Sequence, residues 1–320
     1  MRKILLTAFE KRLCNELQNG LPIAERPFAW IARTLKTDED NVISRTKILI
    51  KKGVIRRFGP VINWRSLGKF STLVTAHIEK KNLPKVIKAV NNLDGVSHNY
   101  LRNHHFNLWF TLRGDSQKQV NAILKKLSKR FKIKFFSLPV IRAFKLDVRF
   151  DALSGGRRLL SLSAERCPLN AERCTLNAID NRILQRLQEG IKVVKRPFAF
   201  LKDSFKNYDC LIHLSGMICD GVILRIGAIA NQRLLGFTAN AMFVCNVPQS
   251  RVIKAGKKLA SLNNVSHCYE RKSFKGFPYI LYGMMHGKSL AGLYELARKF
   301  VKSQKIKQWE LLETVERLKR

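Results

Sequence analysis

The sequence LQNGLPIAERPFA at residues 17–29 returns as LQEGIKVVKRPFA at residues 187–199. Two further blocks repeat in the same order, VIRRFGPVINWRSLG at 54–68 as VILRIGAIANQRLLG at 222–236 and VSHNY at 96–100 as VSHCY at 265–269. The offsets of 170, 168 and 169 residues are nearly constant, which chance does not produce. The chain therefore consists of two homologous halves, residues 1–151 and 176–320.

The first half begins with a helical pattern. Apolar residues recur at Phe9, Leu13 and Leu17, and Pro27 is placed to begin a second helix, which a third helix follows. The segment 54–62 then reads as an extended wing. Three short helices before a wing predict a winged helix-turn-helix domain.

The remainder of the first half predicts the element order βαββαβ, which defines a ferredoxin-like unit. The second half repeats both parts, although its third helix contains Gly216 and lacks a charged surface. The predicted fold class is α+β, a tandem repeat of winged helix-turn-helix and ferredoxin-like βαββαβ domains. The predicted domains are 1–66 winged helix-turn-helix, 67–151 ferredoxin-like, 152–175 linker, 176–234 degenerate winged helix-turn-helix and 235–320 ferredoxin-like.

The composition describes a folded and strongly basic protein. Lys and Arg number 60 against 23 Asp and Glu, a net charge of +37 over 320 residues, and 46% of the residues are hydrophobic. Such a chain attracts anions, so nucleic acid, an anionic membrane and a polycarboxylate ligand all remain open. The apolar runs are too short for a membrane span or a signal peptide, which predicts a cytoplasmic location and no membrane partner. The seven cysteines show no zinc-type spacing and are expected to be reduced.

Each half contains a histidine, a tyrosine and an arginine at alternate positions. The first set is His98, Tyr100 and Arg102, and the second is His267, Tyr269 and Arg271. On a β-strand, even offsets place all three side chains on one face. An imidazole, a phenol and a guanidinium would then lie side by side in both halves, although a hydrogen-bonded histidine in a dimer-like sheet is the structural alternative.

The domain order resembles the Lrp/AsnC family of transcription regulators, and particular motifs resemble siroheme decarboxylases. The motifs that carry this resemblance are RPFA at 26–29, VIRRFGP at 54–60, SHNYLR at 97–102 with NLWFT at 107–111, SHCYER at 266–271, PY at 278–279 and MHG at 285–287. The chain is similar to the two subunit types of siroheme decarboxylase fused in one polypeptide. This resemblance implies an Lrp/AsnC architecture that acts as a carboxy-lyase.

The resemblance implies a substrate and a reaction. The enzymes of this family remove two acetate carboxyls from siroheme and give didecarboxysiroheme, which serves alternative haem or haem d1 biosynthesis. The partner would be siroheme itself, and no cofactor is expected beyond the iron of this substrate. A basic chain suits an anionic tetrapyrrole, but the charge suits DNA equally well.

The candidate site residues follow from the motifs and from the chemistry. Decarboxylation needs a carboxylate held away from water and a proton for the carbon it leaves, which histidine or tyrosine beside arginine can supply. The candidate catalytic residues are His98, His267, Tyr100 and Tyr269. The candidate substrate-binding residues are Arg56, Arg57, Arg102, Arg225, Arg271 and His286. A neutral imidazole could instead be an axial ligand to the siroheme iron, and the sequence leaves open whether His267 or His98 would do so.

Two other functions remain open at this point. The first is a ligand-responsive DNA-binding regulator, because the candidate recognition helix of the first half contains Arg45, Lys47, Lys51 and Lys52. Its equivalent in the second half offers almost no base-reading side chains, so only weak, non-specific DNA binding is expected. The second is a tetrapyrrole-binding protein without catalysis.

The halves differ around their shared motif. The first half has Asn99, Leu101, Arg113 and Arg142 where the second has, in the same order, Cys268, Glu270, His286 and Glu316. Because the residues around the two motifs differ, we expect the two sites to have different roles in the reaction. We expect the second-half site to turn over the tetrapyrrole while arginines of the first half complete the carboxylate clamp. The two ferredoxin-like sheets are also expected to pair as an internal pseudo-dimer, with further oligomerisation left open.

Overall fold

A computed structural model describes residues 5–146, 149–153, 175–205 and 209–319. The helices are α1 (Ala8–Asn19), α2 (Pro27–Leu35), α3 (Glu39–Lys51), α4 (Leu83–Asn91), α5 (Gln117–Phe131), α6 (Ala178–Gln188), α7 (Ala199–Ser204), α8 (Cys210–Cys219), α9 (Val252–Ser261) and α10 (Leu290–Ser303). The strands are β1 (Ile55–Ile62), β2 (Phe70–Ala76), β3 (Val96–Arg102), β4 (Leu108–Gly114), β5 (Phe136–Leu146), β6 (Ile223–Ala230), β7 (Ala239–Cys245), β8 (Val265–Arg271), β9 (Leu281–Gly287) and β10 (Trp309–Arg317). These elements confirm the α+β class.

The chain forms two compact units, and each unit takes equivalent parts from both halves. The first unit contains residues 1–67 and 148–238, and the second contains residues 68–147 and 239–320. The helix-turn-helix segments thus group together, and so do the ferredoxin-like segments. Most of the predicted linker lies outside the described residues, and the exact domain boundaries stay a prediction.

In the first unit, helices of both halves share one hydrophobic core around the strands β1 and β6. These strands pair antiparallel, with Gly59 opposite Gly227. The segment predicted as a wing is therefore a single strand whose partner is the equivalent strand of the other half, rather than one arm of a local hairpin. This pairing satisfies backbone groups that each strand would otherwise leave open.

In the second unit, eight strands form a closed barrel in the order β10-β3-β4-β2-β5-β8-β9-β7. Each half supplies four strands, and the halves join where β5 pairs with β8 and where β10 pairs with β3, both antiparallel. The two ferredoxin-like parts thus associate, as expected for a pseudo-dimer, and do so by strand pairing. Closure leaves no open sheet edge.

Separate hydrophobic clusters lie on the two sides of the barrel wall. Helices α4 and α5 cover one outer cluster, and helices α9 and α10 cover another. A third, inner cluster includes Trp109, Tyr282 and Phe277. Because side chains alternate along a strand, one face of each strand packs on helices and the other faces the barrel interior.

The helices and the cysteines bear on the predictions about a membrane span and about reduced thiols. None of the described helices is long and apolar enough to cross a membrane. The described cysteines are free thiols, namely Cys14, Cys210, Cys219, Cys245 and Cys268. The other two, Cys167 and Cys174, lie outside the described residues.

Candidate active site

The two histidine motifs lie on β3 and β8, and in each strand the three side chains share one face. The ring centroids of His98 and Tyr100 are 6.2 Å apart, and the guanidinium carbon of Arg102 lies 5.4 Å from the Tyr100 ring. In the second half, His267 and Tyr269 are 6.1 Å apart. The arrangement predicted from the even spacing is therefore present twice. We call these sets the first triad and the second triad.

Both triads face the barrel interior, as the intervening residues show. Asn99 is buried and its side-chain amide donates to Asn91 on α4, 3.0 Å away. Cys268 is buried and its thiol lies 3.6 Å from the carbonyl of Gly256 on α9. Since these neighbours point toward the helices, the alternate positions that carry the triads point inward.

The two arginines are held in the same way. Arg102 Nη1 donates to the carbonyl of Leu312 at 2.9 Å, and Arg271 Nη1 donates to the carbonyl of Leu138 at 2.8 Å. Both side chains are buried, and burial lowers the pKa of Arg102 to about 10, so it remains protonated at neutral pH. The Arg271 guanidinium also lies 4.8 Å from the Tyr269 ring, a cation–π contact. Two fixed cations thus lie on the inner wall, where a carboxylate would find charge-assisted donors.

His98 is exposed to solvent although protein atoms surround it on most sides. Burial by these atoms, together with the positive charges of Arg317 and Arg113, lowers its pKa to about 4. The imidazole is therefore neutral at pH 7. Its Nδ1 lies 3.0 Å from the hydroxyl of Ser97, which in turn lies 3.2 Å from the hydroxyl of Thr111.

His267 has a more extended set of buried partners. Its Nδ1 lies 2.8 Å from the hydroxyl of Ser266, and the same hydroxyl lies 2.7 Å from Nε2 of His286. The other ring nitrogen of His286, Nδ1, lies 3.3 Å from the side-chain amide nitrogen of Asn240. Ser266 and His286 are both buried. His286 was predicted to bind substrate, and this role stays a prediction, but the structure places its ring in contact with the neighbours of His267.

The same set continues to the first triad. The hydroxyl of Thr314 donates to Asn240 Oδ1 at 3.1 Å, and Arg102 Nη1 lies 3.0 Å from that hydroxyl. Four side chains therefore connect His267 of the second triad with Arg102 of the first: Ser266, His286, Asn240 and Thr314. We call these four residues the connecting chain.

The strands that join the halves also differ at the two triads. Where β5 meets β8, Arg142 lies opposite Glu270, with Arg142 Nη1 3.6 Å from Glu270 Oε2. Glu270 is fully buried, and it also accepts a 2.9 Å hydrogen bond from Gln249. Where β10 meets β3, Glu316 lies opposite Leu101. The difference between Leu101 and Glu270 and the difference between Arg142 and Glu316 are therefore linked. At each junction the two residues are cross-strand partners, so the Arg142–Glu270 pair of one junction is replaced by a Glu316–Leu101 pair at the other.

Three predicted substrate-binding arginines belong to the first unit. Arg56 and Arg57 are exposed on β1, and Arg56 Nη2 donates to Asn231 Oδ1 at 3.3 Å. Arg225, the equivalent of Arg57, is buried on β6, and its Nη1 lies 3.4 Å from the carbonyl of Ala228. A role for these arginines in a carboxylate clamp stays a prediction.

Sequence reasoning missed three members of the connecting chain, namely Ser266, Asn240 and Thr314. The sequence did mark Ser266, since a serine precedes the histidine in both copies of the repeated VSH motif. Asn240 and Thr314 lie in none of the repeated motifs. Their contact with the site depends on the pairing of β7 with β9 and of β10 with β3.

Comparison with known proteins first defines the class. A family model described as an AsnC-like ligand binding domain matches residues 66–145 and 234–319. A model described as the siroheme decarboxylase NirDL-like HTH domain matches residues 10–56. The chain is thus a protein of the Lrp/AsnC architecture with its ligand-binding domain present twice.

Proteins that are similar to this chain over most of its length identify the family within this class. A siroheme decarboxylase from Hydrogenobacter thermophilus is 30% identical over 92% of this chain and 88% of its own length. A siroheme decarboxylase NirDL subunit from Paracoccus pantotrophus is 32% identical over 89% of this chain and 86% of its own length. The crystal structure of the siroheme decarboxylase NirDL superposes with a TM-score of 0.75 at 27% identity, covering 98% of this chain and 92% of that one. The chain belongs to the siroheme decarboxylase family, a family of carboxy-lyases, in its fused form, which confirms the prediction from the motifs.

Proposed function

We propose that this chain removes two acetate carboxyl groups from siroheme and gives didecarboxysiroheme, for alternative haem or haem d1 biosynthesis. The observation that carries the proposal is the pair of triads on the inner wall of one barrel. A related crystal structure of NirDL in complex with an iron-uroporphyrin III analogue, 26% identical with a TM-score of 0.73, supports an iron tetrapyrrole as the ligand class. The enzyme would act in the cytoplasm and would need no cofactor beyond the iron of its substrate, siroheme.

The reaction breaks the bond between the acetate methylene carbon and its carboxylate. Carbon dioxide leaves, the electron pair stays on the methylene carbon, and a proton must be added there. The fixed cations of Arg102 and Arg271 suit the binding of peripheral carboxylates, and the two histidines, when protonated, are the candidate proton donors. Tyr100 and Tyr269 lie between histidine and arginine in each triad, where a phenol can orient a carboxylate.

In the first triad, a neutral imidazole lies close to cationic side chains. His98 is neutral at pH 7 because its pKa is lowered. The charged groups that lower it, Arg317 and Arg113, also favour a bound anion. Neighbouring cations therefore serve substrate binding while they keep the imidazole uncharged.

Incubation of the purified chain with siroheme without oxygen, followed by mass analysis, tests the proposal. Loss of two carboxyl groups supports the enzyme. A shift of the Soret band without a change of mass would support a tetrapyrrole-binding protein instead. The control is the same incubation without protein, which measures spontaneous loss.

DNA binding is proposed only as a weak and non-specific property. Arg45, Lys47 and Lys51 are exposed on α3, which suits phosphate contact. Lys52 forms an ion pair with the buried Glu10 at 2.9 Å and so serves the fold. On α8, the side chain of His213 lies 2.7 Å from Asp180. These features favour a charge-driven interaction without base readout.

A further inference from the structure

The connecting chain begins beside a group that can only donate hydrogen bonds. This group is the guanidinium of Arg102, which has no acceptor atom. Arg102 Nη1 points to the Thr314 hydroxyl, so the hydroxyl oxygen accepts and its hydrogen is directed to Asn240 Oδ1. The Asn240 amide is thereby oriented with its nitrogen toward His286.

The direction of hydrogen-bond donation is the same in the rest of the connecting chain, from Asn240 to Ser266. Asn240 donates to Nδ1 of His286, so a neutral His286 carries its hydrogen on Nε2. That hydrogen is donated to Ser266. The Ser266 hydroxyl hydrogen then has two acceptors in reach, the carbonyl of Met284 at 3.4 Å and Nδ1 of His267 at 2.8 Å, and the shorter contact is the one to His267. Each link donates in the same direction, from the first triad to the second.

We propose that the connecting chain fixes His267 in the tautomer with its hydrogen on Nε2, and that His286 is a positioning residue for it. This inference rests on the proposed function and deepens it. With a hydrogen on Nε2, that nitrogen has no lone pair for iron and instead presents a donor. His267 is therefore a hydrogen-bond donor toward substrate rather than an iron ligand. Its Nε2 hydrogen can be transferred as a proton only after Nδ1 has taken up another proton, so that the ring ends neutral.

The first triad has different residue types at the positions of the connecting chain. The positions that match Thr314, Asn240 and His286 by strand pairing are Val140, Ser71 and Arg113. Valine has no hydroxyl to receive a hydrogen bond from Arg271, and arginine cannot accept one as His286 does. The Ser97 hydroxyl that contacts His98 lies 3.2 Å from the hydroxyl of Thr111, and this different surrounding supplies matched controls.

The first experiment measures the tautomer of each histidine by nitrogen NMR on the full chain without substrate. We expect a protonated Nε2 and an unprotonated Nδ1 for His267. Thr314→Val removes the hydroxyl that orients Asn240, so both tautomers of His267 should appear. The control Val140→Thr changes the equivalent position of the first half and should leave the His267 spectrum unchanged.

A second pair of variants separates orientation from packing. His286→Gln keeps a donor toward Ser266 and an acceptor toward Asn240, so it should retain the tautomer. His286→Leu keeps the volume but neither hydrogen bond, so it should lose the tautomer. If the Thr314 variant does not fold, this pair still tests the proposal.

Turnover of siroheme completes the test. Thr314→Val and His286→Leu should lower kcat by on the order of tenfold with little change in KM, and His286→Gln should restore most of it, since an orienting group acts through the proton-transfer step. A His267 hydrogen on Nδ1 in the unmodified chain, or a tautomer that no variant changes, would overturn the proposal. So would a tautomer change without any change in kcat. If the spectra behave as expected but the unmodified chain leaves siroheme intact, the proposed function fails while the tautomer assignment stands.

Discussion

The strands β3 and β8 carry the same three inward-facing residues but differ in what supports them. On β8, the histidine contacts a serine that leads into the buried connecting chain, and Glu270 behind the strand is paired with Arg142. On β3, the histidine is exposed beside Ser97, and Leu101 occupies the position of Glu270. Duplication has thus kept the groups that would meet a substrate while their surroundings diverged. Equal motifs therefore do not imply equal roles.

The largest effect is expected from removing the histidines one at a time. His267→Ala should lower siroheme turnover by roughly 10²–10⁴-fold, the range typical of a lost acid–base group. His98→Ala should have a smaller effect, because the residues that match the connecting chain differ around this imidazole. Steady-state rates of the two variants, measured side by side, check the assignment. Loss of activity in His98→Ala alone, with His267→Ala silent, would exchange the two roles.

The next effect concerns stability at the two places where the halves join. Arg142→Leu leaves the buried carboxylate of Glu270 without its half-exposed cation and should lower the free energy of unfolding by ~1–3 kcal/mol, the cost of an unsatisfied buried polar group. Adding Glu270→Leu should recover most of this loss, since it copies the leucine at position 101. Glu316→Leu, on the exposed side of the other junction, is the matched control and should change little. Denaturant unfolding measures all three, and an unaffected Arg142→Leu would show that the ion pair is unimportant.

A smaller effect is expected in the titration of His98. Its pKa of about 4 lies below the ordinary value of 6.5, so the unfolded chain binds the proton more readily than the folded chain. The corresponding stability is complete above pH 6.5 and is lost as the pH falls toward 4. Proton NMR should show the low midpoint, and Arg317→Gln should raise it. A midpoint near 6.5 in the unmodified chain would contradict the described surroundings.

The smallest effect is expected for DNA, where the two helix-turn-helix segments are compared. Binding should be weak and should fall steeply with salt, and Arg45→Ala with Lys47→Ala should weaken it modestly. Ile212→Ala, on the exposed face of α8, should leave it unchanged. Fluorescence anisotropy over a salt series measures both. A footprint on a defined sequence at physiological salt would favour the regulator instead.

The sequence predicted the triads because their geometry is local. Alternation along a strand depends on two-residue spacing alone, so the shared face of His98, Tyr100 and Arg102 could be read from the motif. It also marked the unequal positions Arg113 and His286. These inferences need no knowledge of how the halves meet.

The remaining features depend on pairings between distant strands. Arg142 and Glu270 become partners only because β5 pairs with β8, and Thr314 reaches Arg102 only because β10 pairs with β3. The sequence indicated that the halves associate but not which strand edges join. For the same reason, the predicted wing was not recognised as a strand that pairs with its equivalent at β6.

The central claim is that siroheme is decarboxylated at the paired histidine strands of the barrel. The most direct test compares the unmodified chain with the double variant His98→Ala and His267→Ala, both incubated with siroheme without oxygen. Mass analysis follows the tetrapyrrole, and the Soret band reports binding. We expect the unmodified chain to remove two carboxyl groups and the double variant to bind siroheme without changing its mass. Undiminished decarboxylation by the double variant, or an unchanged mass with the unmodified chain, would contradict the claim.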